Sequence, residues 1–190
     1  MGILMQTGDT ARRRPPGAAA MAIVVGMGFT VASGVVMAQG GQIQCTVTEN
    51  GTPSNGSVAV VQNGRQVASG SCKGALSVPA GTAKVTLRLD GALDNPAKTV
   101  EVVVAAGKTT PVTADFQTAV LEVRIEAKGQ QGTGLVAVEK DGKRIGTLGS
   151  GVAARLSTGA YEVVVRLGGA EQRYAVDLRP GQHRVVRAQF

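Results

Sequence analysis

Residues able to do chemistry are few in this 190-residue chain, and their spacing limits what they can do. His183 is the single histidine. It sits on an alternating stretch with Val185, Arg187 and Gln189, where a solvated strand position is the expected role. A nucleophile, a base and an orienting group cannot be assembled around it. Two cysteines and one histidine make no zinc pattern. Asp90 and Asp94 share a loop without the dense oxygen-ligand spacing of a calcium site. Gly107-Lys108-Thr109 has the ending of a phosphate-binding loop, but Val102 stands where that loop needs its first glycine, and no helical pattern follows. No catalytic residue, cofactor or metal is therefore predicted, and the chain is expected to be non-enzymatic.

Two groups remain. Cys45 and Cys72 are the only cysteines, and in an exported protein they are expected to pair. Closing that loop is worth about 3–4 kcal/mol by the chain-entropy estimate. Lys140, Lys143 and Arg144 form the densest local basic cluster, around a turn at Asp141-Gly142. A charged hairpin tip ordinarily keeps a protein soluble and discourages edge pairing; the alternative is a contact point for an anionic partner. The net charge of +7 is concentrated in residues 118–190, with eleven basic and seven acidic groups. Their signs interleave, which argues for a solvated sheet face and against the continuous stripe that nucleic acid requires.

The amino terminus points to export. Arg12, Arg13 and Arg14 precede an uncharged run from Ala18 to Ala38, and Val36-Met37-Ala38 has a small residue at the last position and a tolerable one at the third-last, resembling a signal-peptidase site. An apolar signal helix over residues 1–38, cleaved after Ala38, is expected. The alternative is an uncleaved inner-membrane anchor over residues 18–38, the only way the chain would touch a membrane. Either route places the body of the protein in the periplasm, at the cell surface or outside the cell.

The elements that would carry these groups are short strands. Ile43, Cys45 and Val47 alternate with Gln44, Thr46 and Thr48, and Leu121, Val123 and Ile125 with Glu122, Arg124 and Glu126. Asn63-Gly64 and Asp141-Gly142 are hairpin signals, since both central positions of a type I′ turn need positive φ. The two turns lie 78 positions apart, as do Val85 and Val163, and Gly81 and Gly159. Beyond them the offset falls to 74, matching Gly107 with Gly181 and Phe116 with Phe190; the length change lies in the loop Asp90–Pro96. The chain is thus expected to be all-β: two tandem small antiparallel sandwiches of transthyretin or immunoglobulin type, over residues 43–117 and 119–190. Each should hold six or seven strands. Residues 50–56 read as a loop, and Thr99–Val104 is expected to face Thr109–Phe116 across Ala105–Lys108. Pro111 should sit on an edge strand. Val123 and Ser150 stand where the first copy has its cysteines, so the fold itself does not require a bridge. Thr118-Ala119 leaves almost no linker, which predicts a fixed pair.

Asp141-Gly142-Lys143-Arg144-Ile145-Gly146, Leu156 to Val165 and Pro180-Gly181-Gln182 carry a resemblance, matched in the first copy by Asn63-Gly64-Arg65, Val78 to Thr82 and Ala106-Gly107-Lys108. In these stretches the chain resembles PEGA-type and carboxypeptidase-regulatory-like (transthyretin-like) modules over residues 43–190. The resemblance implies non-catalytic β-sandwich accessory modules of envelope and surface proteins. The expected function is a structural or protein-interaction module of the cell envelope, with an envelope protein as partner. The alternative is binding of an anionic envelope polysaccharide through the basic second module.

Overall fold

The computed structural model describes residues 39–190; the expected signal helix, the cleavage point and the alternative anchor lie outside the described residues. Alternation sets the folding pattern. In β1 (Gly41–Glu49), Ile43, Cys45 and Val47 are buried while Gln42 and Thr46 are exposed. Period-two apolar spacing puts one face of a strand toward a core, and with no helix among the described residues a second sheet covers it.

Seven more strands complete the first sandwich: β2 (Thr52–Ser54), β3 (Gly56–Gln62), β4 (Arg65–Ser71), β5 (Ala75–Val78), β6 (Gly81–Leu89), β7 (Ala97–Val104) and β8 (Thr109–Phe116). One sheet has the order β4-β3-β6-β7 and is antiparallel throughout. The other is centred on β1, with β2 and β5 end to end along one side and β8 along the other. Ile43, Val60, Val85 and Leu89 have no exposed surface in the core between them.

The second sandwich repeats this plan with β9 (Thr118–Ala127), β10 (Gln130–Gly132), β11 (Leu135–Lys140), β12 (Lys143–Leu148), β13 (Ala153–Ser157), β14 (Gly159–Leu167), β15 (Ala170–Leu178) and β16 (His183–Gln189). Its sheets are β12-β11-β14-β15 and a sheet centred on β9 with β10, β13 and β16. Each pairing of the first set has its counterpart in the second. Val85 and Val163 are both wholly buried, at equivalent places in separate cores. The hairpin turns carry the predicted positive φ: 50° and 74° at Asn63-Gly64, 50° and 72° at Asp141-Gly142.

The all-β sandwich fold is as expected, with one parallel pairing in each copy, β1 with β8 and β9 with β16. Three expectations need correction. Residues 97–104 and 109–116 are not hairpin partners; β7 pairs with β6 in one sheet and β8 with β1 in the other. Residues 105–108 therefore cross between sheets, and a Gly turn between two apolar runs does not by itself distinguish a hairpin from such a crossover. Residues 50–56 hold a turn and the short strand β2 rather than a loop, with Asn50 and Gly51 at φ 51° and 79°. Each sandwich has eight strands, since β2 and β10 are too short to show an alternating pattern. Pro111 lies on β8, whose only partner is β1, so its missing amide hydrogen faces no neighbouring strand.

Candidate functional site

Equivalent positions of the two sandwiches are held by different chemistry. In the first, Cys45 on β1 and Cys72 after β4 are joined in a disulfide, with Cα atoms 5.0 Å apart. In the second, Val123 is buried in the core, and the hydroxyl of Ser150 accepts the backbone N–H of Ile125 at 3.0 Å. The adjacent Gly151 N–H donates to the carbonyl of Val123 at 2.7 Å. One sandwich is tied covalently where the other is tied by two hydrogen bonds to β9.

Gln117 is the only residue between β8 and β9, so the junction is built from side chains and loops. The Asn50 side chain donates to the Thr118 carbonyl at 3.1 Å and accepts the Thr118 N–H at 3.0 Å. The Arg155 guanidinium bonds Glu49 Oε2 at 2.6 Å and the Asp90 carbonyl at 2.8 Å. Residues 90–96, the segment whose length differs between the copies, run onto the second sandwich. Leu93 packs against its core, and its N–H donates to the Arg155 carbonyl at 2.8 Å. A Cβ at Gly146 would lie 2.5 Å from Leu93 Cδ1, so only glycine admits the leucine there. The Asp94 carboxylate accepts the Ser157 N–H and lies 3.3 Å from the Tyr161 hydroxyl, which donates to the Ser157 carbonyl at 2.8 Å. Burial, and then the charge of Asp94, push the Tyr161 phenol well above its ordinary pKa. The counterpart of this loop in the second copy is the pair Gly168-Gly169, which leaves nothing to dock elsewhere.

The basic cluster is split by this arrangement. Lys140 is half-buried, with its ammonium 4.9 Å from the Tyr161 ring centroid, a cation–π distance. Lys143 and Arg144 remain exposed on β12, opposite Lys140 and Glu139. His183 is an exposed end-of-strand residue whose Nε2 lies 3.2 Å from Glu122 Oε2. Glu122 is itself bonded to Arg124 at 2.6 Å, and that hydrogen bond above all holds its carboxyl below the usual range. No hydroxyl or thiol is hydrogen-bonded to His183 among the described residues, so this is an ion-pair patch without a nucleophile. Of Asp90 and Asp94, candidates for a loop carboxylate pair, Asp94 uses its carboxylate at the junction and Asp90 only its backbone carbonyl. Among the described residues no group of three His, Cys, Asp or Glu is placed to hold a metal ion.

Sequence reasoning missed the junction. The drop in offset from 78 to 74 marked the loop, but an insertion in a surface loop is thermodynamically cheap and so reads as neutral. One apolar side chain, Leu93, was the signal that it docks.

No protein-family model matches the chain, and no curated protein matches it. Several solved structures resemble it at low identity. The TIE protein of Bacillus anthracis is 12% identical with TM-score 0.37, over 80% of this chain and 34% of its own, so this chain spans about a third of that protein. The minor pilin of Streptococcus agalactiae is 10% identical with TM-score 0.36, over 78% of this chain and 94% of its own. The shaft pilin of Lactobacillus rhamnosus GG is 7% identical with TM-score 0.34, over 79% and 98%. Likeness at this level carries no argument about activity or partner.

Proposed function

We propose that this protein is a non-enzymatic, exported module of the cell envelope, acting structurally or by protein interaction. The observation that carries the reading is the junction: two sandwiches are joined by one residue and bridged by Arg155, Asn50 and Leu93, contacts that favour a spacer of fixed geometry. Such a body presents sheet faces and edges at set positions, which suits a scaffold better than a binding cleft. The disulfide agrees with an oxidising compartment, where exported proteins reside. The test is crosslinking in intact cells followed by identification of the captured protein. Recovery of a single envelope partner, lost when the Arg155 clasp is removed, supports the reading; recovery of cytosolic proteins alone overturns it.

A second reading, binding of an anionic envelope polysaccharide, rests on Lys143 and Arg144, which stay exposed on β12. Lys140 contributes less, because its ammonium is engaged over Tyr161. Charge reversal at Lys143 and Arg144 should then abolish salt-sensitive retention on such a polymer. Retention that is unchanged, or that does not respond to salt, removes this reading.

A further inference from the structure

We propose that a second copy of this chain pairs with it along β7, antiparallel, so that two first sandwiches share one continuous sheet. Outer strands of sheets are normally protected by bulges, prolines or charges. Register shifts mark the β3–β4 and β11–β12 pairings, Pro111 lies on the edge strand β8, and β16 carries Arg184 and Arg187. Strand β15 places Glu171, Arg173 and Asp177 on its outward face, where Arg173 lies within 3 Å of Glu162 and Glu171. Strand β7 is its counterpart at an offset of 74 and has Ala97, Thr99 and Val103 at those three places. It has no proline and no register shift, and its one lysine, Lys98, folds over the Phe116 ring to donate to the Asp115 carbonyl. Val103 is 72% exposed and Val100 39%. The duplicated fold thus keeps this edge densely charged in one copy and leaves it, Glu101 apart, without an outward charge in the other.

Hydrogen-bond phase and charge select the register. The Leu89 N–H donates to the Pro96 carbonyl, so the even-numbered residues of β7 bond to β6. The N–H and C=O groups of Ala97, Thr99, Glu101 and Val103 then point to the free edge. A two-fold axis at Val100 sets Thr99 opposite Glu101 of the second copy and Ala97 opposite Val103, using all four residues in bonded pairs. Moving the axis to Glu101 opposes two glutamates, and moving it to Thr99 leaves Val103 unpaired. Only the Val100 register uses the whole edge without a like-charge contact. Such a contact is isologous and closes at two copies. Four edge residues a side fall well short of the roughly 20–30 a side of a stable interface, so a weak, concentration-dependent dimer is expected.

Sedimentation velocity on the full chain, from about 1 µM to about 1 mM, covers the range such a dimer should populate. Thr99 is exposed, so its variants should fold normally, which circular dichroism checks. T99E sets two like-charge pairs across the axis and should weaken association about tenfold. T99K, facing Glu101, should strengthen it, and T99E/E101K should restore it. A chain that stays monomeric throughout overturns the proposal. So does association that is equal in T99E and T99E/E101K, because that contact would lie elsewhere.

Discussion

The two sandwiches share eight strands, one pairing scheme and equivalent core valines, yet they differ in what supports them. The first is closed by the Cys45–Cys72 bridge and covers its own apolar face. The second has no covalent tie, and part of its cover comes from Leu93 of the first. A small sandwich buries limited apolar area and gains from staples, and here one copy carries a bond while the other takes a neighbour's side chain. The same fold can therefore be completed from within or from next door. Apolar cover runs from the first sandwich to the second and not back, because the returning loop is reduced to Gly168-Gly169; what the second returns is polar, the Arg155 bonds to Glu49 and Asp90.

The largest break in this comparison should come from reduction. Opening the disulfide should destabilise the first sandwich by about 3–4 kcal/mol. Hydrogen exchange should then show lost protection in β1 and β3 and little change in β9 and β11; equal losses in both would mean the bridge acts on the whole chain. Next is Leu93→Ala. The leucine is half-buried, so about 1–2 kcal/mol is expected, appearing in the second sandwich although the change lies in the first. Both tyrosines, Tyr161 and Tyr174, belong to the second sandwich, so tyrosine fluorescence during urea unfolding reports that half alone. An unchanged tyrosine transition would show that the docked loop adds nothing.

Smaller effects sharpen the picture. The raised Tyr161 phenol stays neutral when folded, while in the unfolded chain it ionises near its ordinary value of about 10. Its contribution is complete below that pH and is lost as pH rises, because only the unfolded state releases the proton. Tyr161→Phe should flatten this alkaline loss in a pH series of urea midpoints, and should cost about 1 kcal/mol at neutral pH through the missing bond to Ser157. A steep alkaline loss retained by the phenylalanine variant would assign it to another group. Ser150→Ala removes the acceptor of the Ile125 N–H and should lower stability by about 1 kcal/mol or less, with amide exchange fastest at Ile125. If exchange at Ile125 does not change, water replaces the hydroxyl.

Much of the fold was legible because alternation and turn chemistry are local. The burial of Val85 and Val163 follows from period two, and the turns at 63–64 and 141–142 follow from residues that tolerate positive φ. The parallel pairing of β1 with β8 was not legible, since strands 60 residues apart carry no mark of direction in their own residues. Nor was the splitting of the basic cluster: Lys140 is drawn over Tyr161, a contact set by how β11 and β14 pair rather than by spacing along the hairpin.

Sequence alone determined that this chain makes two copies of one β plan, that its turns and inward valines fall at matching places, and that its chemistry-bearing residues are scattered. Those properties depend on neighbours one to four positions apart. Tertiary structure alone decided that an inserted loop becomes a clasp, that its leucine finds space over Gly146, and that Asp94 meets Tyr161. Contacts between residues 50 or more positions apart depend on where sheets stack, and no local pattern encodes that distance.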